Sequence, residues 1–175
     1  MTEFEEMAKT AETAEIIDSA MKLVSTDTMK SIKMVDVNEE ILAEVLELGT
    51  EMIKFTAAKK GIGLASIQVG LDRKFGVFLD NEEWVIVINP TYMLGKKKVN
   101  IMERNLSYEG EILTYERYKT IRAIYYTIDF KDGDLKMKKV ARNMHNEKSY
   151  LFQSLTDMIN GKLPTEKNFF KKEEK

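Results

Sequence analysis

Gly61-Ile62-Gly63-Leu64-Ala65-Ser66-Ile67-Gln68-Val69-Gly70 is the stretch whose reading decides the fold. Two glycines flank one apolar residue, small residues follow, and a glutamine comes next. Such a run makes a tightly turned wall where a backbone can approach a ligand closely and one amide side chain can point at it. Taken alone the signal is weak, because glycine pairs also serve turns that need positive φ. Its meaning depends on what the rest of the chain supplies.

Working outward, the residues before Gly61 are helical. Asp36 and Asn38 suit helix N-caps, and Asp36 with Glu39 resembles a capping box. Ile41, Leu42, Val45, Leu46, Leu48, Met52, Ile53 and Phe55 follow at helical spacing. Lys59-Lys60 then suit a helix C-terminus, with Gly61 placed to stop it. Upstream, Phe4, Met7, Ala8, Ala11, Ile16 and Ile17 give residues 1–21 the spacing of a helical extension. Lys22 to Met34 has no clear period and reads as irregular or edge structure.

After Gly70 the pattern turns to β. Lys74–Leu79 and Trp84–Ile88 are short apolar runs separated by Asp80-Asn81-Glu82-Glu83, and Asn89-Pro90 closes the second. Thr120–Phe130 is β-branched and aromatic, and Asp132-Gly133 is a hairpin turn into Leu135–Val140. Lys96-Lys97-Lys98 reads as a solvated turn. Lys148–Asn160 is a helix with Gly161 at its C′ position and Pro164 beyond. The expected architecture is α+β: an N-terminal helical extension over 1–21, one domain over 22–166 and a charged, solvated tail over 167–175. Phe169-Phe170 in that tail needs a surface, on this domain or on a partner.

Composition narrows the chemistry. Apolar residues make up 43% and charged residues 32% of the 175 residues, as in an ordinary soluble globule. A net charge of −2 gives no basic field for nucleic acid. No window reaches the roughly 18 apolar residues of a membrane span, and the acidic N-terminus lacks a signal-peptide core. The expected location is therefore cytoplasmic, or an intracellularly assembled particle. The absence of cysteine removes thiolate ligands and nucleophiles, and the single histidine, His145, excludes any site built on several imidazoles. His145 itself reads as a surface loop residue. The eleven methionines fit an adaptable surface, but several occupy core-type positions.

The order of these pieces resembles the peptide deformylase family across roughly Lys22 to Leu163. The first motif of that family, Gly-x-Gly-x-Ala-x-x-Gln, is present as Gly61, Gly63, Ala65 and Gln68, and Ile88-Asn89-Pro90 also fits. The second, Glu-Gly-Cys-Leu-Ser, is met as Glu103-Arg104-Asn105-Leu106-Ser107. The third, Gln-His-Glu-x-Asp-His-Leu-x-Gly, is met as Gln153-Ser154-Leu155-Thr156-Asp157-Met158-Ile159-Asn160-Gly161. The resemblance implies a deformylase-like fold with antiparallel strands around a C-terminal motif helix. In that family a metal held by one cysteine and two histidines, with a neighbouring glutamate as acid/base, removes a formyl group from an N-terminal methionine.

Carried over residue by residue, the metal-ligand positions are Asn105, Ser154 and Met158, and the glutamate position is Leu155. None of the four retains its chemistry, which implies no metal, no cofactor and no catalytic residue. The supporting positions remain: Gln68 and the Leu106 N–H as oxyanion donors, and Gly61, Ile62 and Gly63 along a groove where a peptide backbone can pair like an added strand. Each has a plainer reading. Gly61 and Gly63 equally serve a helix-to-strand turn, Gln68 can satisfy buried backbone groups, and Leu155 and Met158 are core fillers.

Three functions follow. One is an inactive deformylase-like protein serving a protein partner as a binding, structural or assembly component. A second is a binder of N-terminal Met or formyl-Met peptides that does not cleave them. A third is a metal-dependent hydrolase with a site rebuilt from Asp157, Glu103, Glu109 or Glu111.

Overall fold

The computed structural model describes residues 21–171, so the expected helical extension lies outside the described residues. Three helices and seven strands follow in order: α1 (Thr26–Ser31), α2 (Leu42–Ala58), β1 (Gly63–Ala65), β2 (Phe75–Asp80), β3 (Glu83–Met93), β4 (Lys98–Glu103), β5 (Leu113–Tyr118), β6 (Thr120–Lys131), β7 (Asp134–His145) and α3 (Asn146–Ile159). An antiparallel sheet runs β1-β2-β3-β6-β7, and β4 with β5 forms a separate two-stranded ribbon.

The large sheet is buried on both faces, and its pleat sorts the two cores. Phe75, Val77, Ile86 and Ile88 face Leu42, Val45, Met52 and Ile53 of α2. Their neighbours Phe78 and Val87, with Tyr125 and Met144, join Phe152, Leu155 and Ile159 of α3. That is why these runs read as continuous rather than alternating apolar sequence. Phe78 meets the ring of Phe152 edge-on, with centroids 6.2 Å apart.

Local chemistry sets the element ends. Asn38 caps the single 3-10 turn leading into α2, its side chain accepting from the Glu40 N–H at 3.1 Å. Asp36 instead pairs with Lys74 at 2.8 Å, so no capping box forms there. At the far end Lys60, not Gly61, takes the left-handed conformation, with φ 55°. Asn81-Glu82 (φ 48° and 69°) and Asp132-Gly133 (φ 52° and 84°) make the two tight hairpins, as the turn residues foretell.

Four further expectations need correction. Lys22 to Met34 contains α1, started by Ser25, whose hydroxyl accepts from the Thr28 N–H at 3.1 Å. Asn89-Pro90 does not end β3: Asn89 (φ 47°) sits in a bulge, and the strand resumes through Thr91–Met93. The Asn89 amide holds Val37 by two bonds of 2.9 Å, which gives the bulge its structural purpose. Lys98 opens β4 rather than lying in a turn, pairing with Glu116 at 2.8 Å. The tail is also tied down at its start. Phe169 bridges to Leu113 and packs on Tyr108 at 5.7 Å, and the Phe170 N–H donates to the Ile112 carbonyl at 2.9 Å. Phe170 keeps an exposed ring. Among the described residues no helix is long and apolar enough to cross a membrane.

Candidate functional site: an edge-strand groove

A groove of about 770 Å³ opens where the free edge of β1, the segment after β4 and one face of α3 converge. All nine positions carried over from the family's site line it: Gly61, Ile62, Gly63 and Gln68 on one wall, Asn105 and Leu106 on the next, and Ser154, Leu155 and Met158 on α3.

The first wall is backbone. Among the described residues β1 is the outermost strand of the sheet, bonded on one side only. The Ile62 carbonyl accepts from the Leu79 N–H at 2.9 Å, toward β2. Successive residues of a strand alternate, so the N–H and C=O of Gly63 point to the opposite, free edge. Gly61 is closely packed: a Cβ there would lie 3.0 Å from both Leu106 Cδ1 and Thr56 Cγ2, so those side chains would have to shift by a few tenths of an ångström. Gly63 faces Leu151, whose Cδ1 would lie 3.4 Å from an added Cβ.

Gln68 is 4% exposed and completely committed. Its Oε1 accepts from the Ala65 N–H at 2.9 Å, and that obligatory donor fixes which way round the amide sits. The two N–H groups on Nε2 then donate to Asn105 Oδ1 and Ser107 Oγ, each at 2.9 Å. Asn105 Oδ1 also accepts from the Ser107 N–H at 2.9 Å, capping the turn Leu106–Tyr108.

On α3, Ser154 and Met158 are four residues apart and share a face, with Leu155 beside them. Leu155 is 5% and Met158 4% exposed, both within the apolar core around Phe152. Ser154 remains half-buried at the groove floor. Gln153 turns the other way and clamps β5: its amide accepts from the Tyr118 N–H at 3.0 Å and donates to the Tyr118 carbonyl at 2.8 Å.

The two acids of the motifs are joined through a residue that sequence reading missed. Arg117 on β5 is almost wholly buried, binding Glu103 through Nε at 2.8 Å and Nη2 at 3.2 Å, and Asp157 through Nη1 at 2.5 Å. Tyr92 donates to the other Asp157 oxygen at 3.0 Å, and Tyr115 stacks 3.9 Å from the guanidinium. Burial alone would lower the Arg117 pKa, but Glu103 and Asp157 raise it. Burial pushes Tyr115 up to about 12, and burial with the Asp157 carboxylate pushes Tyr92 well above its ordinary value. The alternation of Leu113, Tyr115 and Arg117 on one face was the signal available for this cluster.

Glu103 and Asp157 are therefore spent on an ion-pair cluster, and Glu109 and Glu111 stand at the groove rim without joining them. Among the described residues no group of three or more His, Asp or Glu side chains is placed to hold a metal ion. His145 ends β7 rather than sitting in a loop, its Nδ1 3.2 Å from the Thr120 hydroxyl.

Together these features define an α+β protein with an open groove beside an edge strand. The family model for polypeptide deformylase matches residues 10–174. The chain is 26% identical over 123 residues to the peptide deformylase of Endomicrobium trichonymphae, spanning 68% of this chain and 73% of that protein. Its fold matches a peptide deformylase from Synechococcus elongatus with TM-score 0.72 at 21% identity, covering 85% of this chain and 78% of that one. The Thermotoga maritima enzyme matches with TM-score 0.65 at 25% identity, covering 81% and 92%. The chain belongs to the polypeptide deformylase family.

The metal that the family implies does not fit the residues present. Asn105 Oδ1 already accepts two hydrogen bonds, Ser154 is a neutral hydroxyl, and the Met158 thioether is packed in the core. That set carries no anionic or imidazole donor to offset dehydration of a divalent ion. Leu155, at the acid/base position, has no exchangeable proton.

Proposed function

We propose that this chain is a catalytically inactive member of the deformylase family that works by binding, with the groove beside β1 as its binding surface for a protein partner. One observation carries the reading: Leu155 and Met158 are packed into the core, yet the groove next to them remains open at about 770 Å³. Had the rewritten side chains filled the whole site, only a structural role would be left. An open groove with a free strand edge at Gly63 and an apolar floor at Leu106, Leu151 and Leu155 suits an extended segment with an apolar side chain near its head. Exposed Ile62 and Met102 extend that apolar surface to the rim.

Two measurements on the full-length protein test this. Incubation with formyl-Met-Ala-Ser and Fe²⁺, Ni²⁺ or Zn²⁺ is expected to release no formate above the protein-free rate. The same peptide, followed by calorimetry, is expected to bind saturably at one site. Formate release with stoichiometric metal would instead establish the rebuilt hydrolase. An absence of binding, with no turnover, would leave assembly through another surface as the function.

A further inference from the structure

The hydrogen bonds of Gln68 specify what the groove can recognise at the head of its ligand. Two backbone donors leave no freedom in the local network. The Ala65 N–H must be accepted by Gln68 Oε1, and the Ser107 N–H must be accepted by Asn105 Oδ1. Gln68 Nε2 therefore faces Asn105 Oδ1 and Ser107 Oγ, and both of its protons are used at 2.9 Å. Turning either proton toward a ligand would break a 2.9 Å hydrogen bond to a part-buried oxygen, so a ligand carbonyl only exchanges one hydrogen bond for another.

The rest of the head region offers nothing that singles out a formyl group. Leu155 and Met158 present apolar surface, and the Glu103 carboxylate is held by Arg117. Leu106 and Ser154 line the groove, and a backbone N–H or a hydroxyl serves a carbonyl anywhere along an extended segment. The free Gly63 edge pairs with peptide backbone of any sequence.

We infer that the groove reads an extended segment through its backbone and apolar side chain and is blind to a formyl group at its head, because Asn105 and Ser107 hold the Gln68 amide away from the ligand. The ligand class is then wider than formylated N-termini. It includes unformylated and otherwise blocked heads, the class that a docking or assembly component needs. This rests on the groove being a peptide-binding site, as proposed above.

The test compares formyl-Met-Ala-Ser with its desamino analogue, 4-(methylthio)butanoyl-Ala-Ser, which lacks the formamide. Calorimetry on the full-length protein is expected to give dissociation constants equal within threefold. A larger preference for the formyl peptide overturns the inference while leaving peptide binding standing. Failure of both peptides to bind overturns the binding reading and this inference with it. Asn105 lines the groove and Ser107 does not, so two variants separate the two protons of Gln68. Asn105→Ala frees the groove-side proton and is expected to create a formyl preference of about tenfold, one neutral hydrogen bond. Ser107→Ala leaves that proton bonded and is expected to show no preference. If Asn105→Ala does not fold, the wild-type ratio and the Ser107→Ala ratio still decide.

Discussion

The two facing walls of the groove are made in opposite ways. The Gly61–Gly70 wall is backbone: a strand edge with free N–H and C=O at Gly63 and a close approach at Gly61. The α3 wall is side chain: Ser154, Leu155 and Met158 on a helix whose position is held by Gln153 and the Arg117 cluster. A backbone wall keeps its binding capacity whatever the neighbouring side chains become. A side-chain wall keeps its position but carries only the chemistry of the residues installed on it. Hence a chain can retain a deformylase groove without residues suited to the metal.

If that comparison is right, the strongest effects on stability come from what anchors the helix wall. Arg117→Ala leaves Glu103 and Asp157 buried without their cation, and removing one partner from such a cluster costs about 3–5 kcal/mol. Urea unfolding is expected to show a loss of that size. A loss under about 1 kcal/mol would mean that the cluster does not hold β4 and β5 to α3. Next comes Leu155→Ala. This position belongs to the acid/base in the family, but here it is core, and truncation should cost about 2–5 kcal/mol as the cavity opens. A neutral outcome would show that Leu155 contributes to the groove floor rather than to the core and would reopen the side-chain wall as a functional site.

The two walls also differed in how far they could be read from sequence. Gly61, Gly63, Gln68, Asn105 and the α3 positions were all legible, because fixed spacings on a turn and a helix survive without knowledge of tertiary contacts. That Gln68 would be silent was not legible: its bonds go to Asn105 and Ser107, nearly forty residues away in sequence. Arg117 was missed for the same reason, since its partners lie on β4 and α3. β4 itself was obscured by Lys96-Lys97-Lys98, because a half-exposed ribbon carries lysine as readily as a turn does. At Asn89-Pro90 the proline rule pointed to a strand end, and a bulge let the strand continue past it.

Smaller changes sharpen the comparison. Asn105→Ala removes a cap worth about 1 kcal/mol, a modest loss beside that of Arg117. Gly63→Val should cost less than that in stability, since an added Cβ meets Leu151 Cδ1 and the Val77 carbonyl at 3.4 and 3.5 Å. Its branched methyls would nevertheless crowd Leu151 and the free edge. Peptide affinity in calorimetry is expected to fall more than tenfold while the melting temperature hardly moves. A variant that melts far lower, yet binds normally when folded, would make Gly63 a folding residue and remove the backbone wall from function.

The smallest effect concerns the joint between the walls. Asp80 ends β2 on the sheet side, and its carboxylate pairs with Arg142 of β7 and, at 2.6 Å, with Lys148 in the first turn of α3. Burial alone would raise its pKa, but the hydrogen bonds and charges of Lys148 and Arg142 outweigh it and leave the carboxyl below its ordinary value. A carboxyl depressed in the folded state stabilises fully above its unfolded pKa of about 4, and the gain disappears as pH falls through the lower folded value. Both cations are about one-third exposed, so solvent screening limits the contribution to under about 1 kcal/mol. Asp80→Asn should therefore unfold slightly more readily than wild type at pH 7, with the gap closing below about pH 4. A gap that stayed constant down to pH 2 would show that Asp80 acts through packing or neutral hydrogen bonds, and the two walls would then be joined without help from charge.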